Sequence, residues 1–232
     1  MNIAIIPARL HSKRIKEKNI KLFLGKPIIS YVIKTLLSTK LFDQIIVSTD
    51  SKKIKKIAEK YGAKVPFIRG KRLANDYTPT REVIVDAIKQ LERKKIKFSN
   101  ICCIYSTSIL IDKLNLIHAH NIFLKNKKKY IFGACRYAHP IERSFYIDSS
   151  NNISPYNKKN FKKRTQDLQS AYYDAGQFYF GTKETFLNGT NIFSNSAYPI
   201  ILNYNHISDI DNHEDWSDVE IKYKLIKRLK KN

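Results

Sequence analysis

Arg9, Lys13, Arg14, Lys16 and Lys18 put five cations within ten residues, and Ser12 and Asn19 add hydrogen-bonding side chains among them. A triphosphate, with the extra negative charge that develops as one of its bonds breaks, needs such a set. By charge alone the segment equally suits a solvated loop. It directly follows the apolar run Ile3 to Ala8, however, and ligands of open α/β sheets sit beyond the carboxyl ends of strands. It has neither the glycines of a dinucleotide fingerprint nor a GxxxxGK[ST] loop. Far along the chain, Asp209 and Asp211 stand two apart in ISDID. If that stretch is extended, both carboxylates share a face and could hold one hard cation such as Mg²⁺. Alone, Asp-x-Asp also suits a turn or a helix start. Beside a polyphosphate loop it becomes a metal clamp that would steady charge on a leaving pyrophosphate.

The elements that must position these residues follow from hydrophobic period. Apolar runs alternate with amphipathic segments over the first 137 residues, the habit of βα units closing a mainly parallel sheet. Strands are expected at Ile3 to Ala8, Gln44 to Ser48, Val65 to Arg69, Ile101 to Ser106 and Tyr130 to Cys135. Between them, helices are expected after Pro27, after an Asp50 or Ser51 cap, over Thr80 to Lys94 and around Leu114 to Leu124. The fold class is therefore α/β, doubly wound. From about His139 to Tyr172 the period breaks into an alternating FYID, a turn at residues 149–152 and a basic stretch, which reads as an inserted hairpin or arm. Strand-like FYF, PIILNY and ISDID then return to the body, and a helix with an acidic start and a basic end closes a single domain of residues 1–232.

The formal charge of +23 invites a nucleic-acid partner. The lysines are scattered through nearly every surface segment, no nucleic-acid-binding signature accompanies them, and solvated faces explain them; no nucleic acid is expected. No apolar run approaches membrane-spanning length, and the N-terminus lacks an export signal. Cys102, Cys103 and Cys135 lie inside apolar runs, which suits core packing in a reducing cytoplasm. His118 and His120, two apart on a helix, face different ways and share no metal, whereas His139 stands at the start of the arm.

IIPAR-x-x-SKR-I-x-x-KN-I-K-x-F-x-GKPII, then FDQIIVSTD, YGAKVPFIR and LANDYT, occur in order over nearly the whole chain. Together they resemble the CMP-acylneuraminate synthetase family, and CCIYST, TQDLQSAYYDAGQFYFG and DIDNHEDW resemble its branch acting on pseudaminic acid. The resemblance implies a nucleotidyltransferase fold, a homodimer joined through the arm, and a reaction of CTP with a nonulosonic acid. The products would be the CMP-sugar and pyrophosphate. It implies that Arg9, Ser12, Lys13, Lys18 and Asn19 cradle the CTP phosphates and ribose, with backbone around Ala8 near cytosine. Arg69 and Thr80 would help hold the nucleotide, and Asp209 and Asp211 would bind Mg²⁺ and, with Lys18, carry catalysis. Tyr105, Arg164, Tyr173, Asp174 and Gln177 fall on the sugar side. There YSTSILI stands where sialic acid synthetases have QPTSPLR, and Tyr173 to Gly176 replace Arg-Pro-Asn-Gly, which implies an altered choice of sugar. Arg164 equally reads as one more surface cation. No His or Glu occupies an obvious general-base position. Rival readings are the same reaction on N-acylneuraminic or legionaminic acid, and a glycosyltransferase in which Asp-x-Asp holds the diphosphate.

Overall fold

The structure, a computed structural model, describes residues 1–126 and 129–229. Chain order runs β1 (Asn2–Pro7), a small antiparallel pair β2 (Leu22–Phe23) and β3 (Lys26–Pro27), α1 (Ile28–Thr39), β4 (Gln44–Ser48), α2 (Lys52–Lys60) and α3 (Thr80–Arg93). It continues through β5 (Asn100–Ile104), α4 (Lys113–Lys125), β6 (Tyr130–Arg136), β7 (Phe145–Ile147), β8 (Ile153–Pro155) and β9 (Tyr172–Thr182). Then come α5 (Lys183–Asn188), β10 (Ala197–Ile201) and α6 (His213–Leu229). The expected closing helix extends into residues 230–232, and the lysine-rich stretch 125–129 includes 127 and 128; both portions lie outside the described residues.

The main sheet has the order β10-β6-β9-β5-β1-β4. Five strands run one way and β9 runs antiparallel to both its neighbours, so the sheet is mainly parallel as the sequence implies. Alternation along the strands divides the core in two. Ala4, Ile6, Cys102, Ile104 and Phe180 face the layer built by α1, α2, α4 and α6. Ile3, Ile5, Cys103, Tyr130 and Tyr179 face α3 and α5. Cys102 and Cys103 are free and buried on opposite faces, and Cys135 is free and buried too. His120 is buried and His118 exposed, as their spacing predicts.

Local chemistry fixes the helix ends. Ser51 Oγ accepts the backbone N–H groups of Lys53 and Ile54 and so caps α2, and Gly62 at φ +97° turns the chain beyond it. Asp50 does not cap; its Oδ1 accepts Leu10 N–H at 2.9 Å, tying the loop after β1 to the end of β4.

The expected strand Val65 to Arg69 does not form. Lys64 bonds β4 and Arg69 N–H reaches Thr49 O at 2.8 Å, but Pro66 between them has no N–H to donate, and the chain bows off the edge. ISDID likewise has no ladder partners and does not form a strand. α5 is an addition; its six residues are too few to show a helical period in sequence, and Thr182 Oγ1 caps it. Between β6 and β9 lie the β7–β8 hairpin and two short 3₁₀ turns, Ile141–Arg143 and Thr165–Asp167; another, Tyr204–His206, follows β10.

β9 departs from regular pairing where it matters for the site. Phe132 pairs with Tyr179 but Ala134 with Asp174, so two steps on β6 span five on β9. The three extra residues make a bulge containing Gly176 at φ +60°, a left-handed conformation suited to glycine.

Candidate active site

A cavity of about 350 Å³ opens at the carboxyl ends of β1 and β5. Arg9, Ser12, Arg14, Lys18 and Asn19 enter it from the loop after β1, Arg69, Asn75, Asp76, Thr78 and Thr80 from the segment leading into α3, and Tyr105 to Thr107 from the end of β5. Of the residues expected to read the nucleotide, Arg9, Ser12, Lys18, Asn19, Arg69 and Thr80 are thus brought together, whereas Lys13 lines a neighbouring cavity instead. Ala8 is fully buried with its N–H on Ser48 O at 2.9 Å, between the cavity-lining Pro7 and Arg9.

The cations are held by carboxylates. Arg9 pairs with Asp76 at 2.5 Å and donates to Asn75 O, and Lys13 reaches the other oxygen of Asp76 at 3.2 Å. Lys13, together with Arg9, holds the Asp76 carboxyl below the usual range. On the other side Arg14 pairs with Asp211 at 2.6 Å, with Lys18 at 3.7 Å from the same oxygen. Lys18 also donates to Ile210 O, and burial lowers its pKa against the pull of Asp211. Asn19 braces the loop: its Nδ2 donates to Arg9 O at 2.7 Å while its Oδ1 accepts from Ser106 Oγ. Arg69 is only 3% exposed, its pKa lowered by burial, and its Nε has no partner among the described residues. Such an orphaned buried donor is costly unless a ligand satisfies it.

Ile210 is fully buried, so Asp209 and Asp211 on either side of it share the outward face, as their spacing predicts. Partial desolvation and then the charge of Asp211 raise the Asp209 pKa. Two carboxylates so placed suit an added cation. Among the described residues no three His, Cys, Asp or Glu side chains cluster as a metal site, so further ligands would be phosphate or water oxygens, the habit of Mg²⁺.

The sugar-side residues disperse. Tyr105 lines the cavity, its hydroxyl 2.9 Å from Thr80 Oγ1, and burial pushes its pKa up to about 12. Asp174 Oδ2 accepts from Tyr179 OH at 2.7 Å and Oδ1 from Gly176 N–H, and Tyr173 packs on Tyr137 with centroids 4.9 Å apart. Gln177 is fully buried. Its Nε2 donates to Ala175 O at 2.9 Å and Ser208 O at 3.1 Å, so the bulge holds the segment that leads to Asp209. Arg164 is exposed, pairs with Asp167 at 2.8 Å and stands outside the cavity lining. Sequence reasoning missed Asp76, Asn75, Ser106 and Thr107. Asp76 lay within LANDYT, but nothing in the spacing says that a carboxylate there would face Arg9 across 67 residues.

An α/β sheet with a cation-lined cleft after β1, and an Asp-x-Asp pair tied through Asp211 to the cleft's Arg14 and Lys18, suits a nucleotidyltransferase. The chain belongs to the Cytidylyltransferase family, which it matches over residues 3–232. It is 41% identical over 224 residues to the pseudaminic acid cytidylyltransferase of Campylobacter jejuni, covering 97% of each chain. It is 28% identical to the CMP-N,N'-diacetyllegionaminic acid synthase of Legionella pneumophila over 94% of each. A solved CMP:2-keto-3-deoxy-manno-octonic acid synthetase complexed with CTP shares the fold at a TM-score of 0.68 and 13% identity, covering 97% of this chain and 98% of that one.

Proposed function

We propose that this chain transfers the cytidylyl group of CTP to pseudaminic acid, releasing CMP-pseudaminic acid and pyrophosphate. The observation that carries the reading is the 41% identity to the Campylobacter jejuni enzyme along 97% of both chains. The cavity is chemically apt, since Arg9, Arg14, Lys18 and Arg69 line it with donors for a polyphosphate. The anomeric oxygen of the sugar attacks the α-phosphorus, the bond to pyrophosphate breaks, and the hydroxyl proton passes to solvent. Among the described residues Asp76 is the one carboxylate lining this cavity, and the cations that lower its pKa make it a poor base.

Asp209 and Asp211 would hold Mg²⁺. That ion, when bound, supplies charge that favours departure of pyrophosphate. Lys18 and Arg9 neutralise the leaving phosphates, and Thr80 and the backbone at Ala8 orient the nucleoside. Tyr105 borders the sugar, with Thr80 fixing its hydroxyl.

The enzyme acts as a homodimer in the cytoplasm. The hairpin supports the dimer: an isolated two-stranded hairpin is marginal in water, and Tyr146, Ile147 and Ile153 on it are all more than 60% exposed. The free, buried cysteines are compatible with a reducing compartment. Pyrophosphate release is to be measured with CTP, Mg²⁺ and a panel of pseudaminic, legionaminic, N-acetylneuraminic and eight-carbon ulosonic acids. Pseudaminic acid is expected to give the highest kcat/KM. Faster turnover of any other acid would replace it as the substrate, and no turnover with the whole panel would remove the proposal.

A further inference from the structure

We infer that Asp76 is a built-in competitor of the triphosphate, a carboxylate that occupies Arg9 and Lys13 until the nucleotide's phosphates replace it. This rests on the reading of the cavity as the CTP site.

Both arms of the Arg9 guanidinium are taken by the turn at 75–76, one by Asp76 at 2.5 Å and the other by the Asn75 carbonyl. Lys13 closes on the second Asp76 oxygen at 3.2 Å. The turn carries Asp76 as a unit. Asn75 Oδ1 accepts Tyr77 N–H at 2.8 Å and Thr78 N–H at 2.9 Å, and its Nδ2 donates to Arg72 O at 2.8 Å. A phosphate group and this carboxylate cannot both sit on the same two cations without like-charge repulsion, so binding there is an exchange of anions.

Two features make the exchange easy. The Arg9 and Asp76 side chains are each about 30% exposed, so water can solvate either as they part. Asp76 also lines a second cavity, about 550 Å³, together with Lys13, Lys16 and His11. The displaced carboxylate has room there, in a cavity that Lys16 also lines. A ligand with several phosphate charges displaces Asp76 more readily than a nucleoside does, and the carboxylate's return favours departure of pyrophosphate.

The test is Asp76→Asn in the full chain, which keeps size and one acceptor oxygen but removes the charge and the second acceptor. Exposed pairs of this kind are worth enough to shift affinity by roughly 2–5-fold. The KM for CTP and the inhibition constant for pyrophosphate are both expected to fall by about that factor, the gain shrinking at high salt as screening rises. Cytidine binding is expected not to change, and Asp76→Glu is expected to restore the wild-type values. Calorimetric binding of inorganic tripolyphosphate, which needs no turnover, separates this inference from the substrate reading: tighter binding by the variant supports it even if no sugar reacts. Unchanged tripolyphosphate affinity, or equal weakening of tripolyphosphate and cytidine, overturns it.

Discussion

The two walls of the cleft are built in different ways. The wall expected to hold the nucleotide takes most of its cations from one loop, Arg9 to Lys18, and that loop is braced at Asn19, Asp50 and the Asp76 turn. Of the residues expected on the sugar side, the sugar wall, Tyr105 lines the same cavity, while Asp174 and Gln177 turn into internal hydrogen bonds and Arg164 stands in solvent. Phosphate recognition can be local because charge works at several ångströms and tolerates flexible side chains. Sugar recognition needs directional contacts, and in this chain the residues expected to supply them are used first to hold the backbone.

The largest test of the contrast is Asp211→Ala. Its backbone N–H on Asp215 survives, so the start of α6 persists and the melting temperature is expected to hold, while kcat/KM falls by roughly 10²–10³-fold. Retained activity would detach Asp211 from the nucleotide wall. Gln177→Leu leaves the carbonyl of Ser208 unpaired in the interior, an expected cost of about 1–3 kcal/mol, which lowers the melting temperature by roughly 3–10 °C. A raised sugar KM at unchanged melting temperature would instead move Gln177 to the sugar.

Tyr105→Phe removes the bond to Thr80, about 0.5–1.5 kcal/mol, and is expected to alter the KM for sugar or CTP a few-fold. It also has a pH signature. The folded Tyr105 keeps its proton up to about 12 against an ordinary value of 10. The native state therefore binds more protons than the unfolded chain in that window, and stability falls as pH rises from 10 toward 12. The variant is expected to show a shallower alkaline loss in denaturant titrations. Arg164→Ala has the smallest expected effect on the fold, under about 0.5 kcal/mol, because its partner is an exposed i,i+3 aspartate. A sugar KM that rises only at concentrations where the protein self-associates would join Arg164 to the sugar wall across a dimer.

Hydrophobic period was enough to locate α1, α3, α4 and the strands β1, β4, β5 and β6 to within a residue or two, because each buries a regular stripe on one face. The pairing of Asp209 with Asp211 was also legible, since alternation about the buried Ile210 is a property of the extended chain itself. What the sequence alone determined was therefore local: the cation loop after the first strand, the shared face of the two aspartates and the hairpin turn at 149–152, which Asp148 closes. Only the tertiary structure decided the rest. β9 enters antiparallel between β5 and β6 and bulges at Gly176, Pro66 pulls the chain off the edge of β4, and Asp76 closes on Arg9. Each of these joins segments distant in the chain, and no period or spacing along one segment records which distant group will meet it.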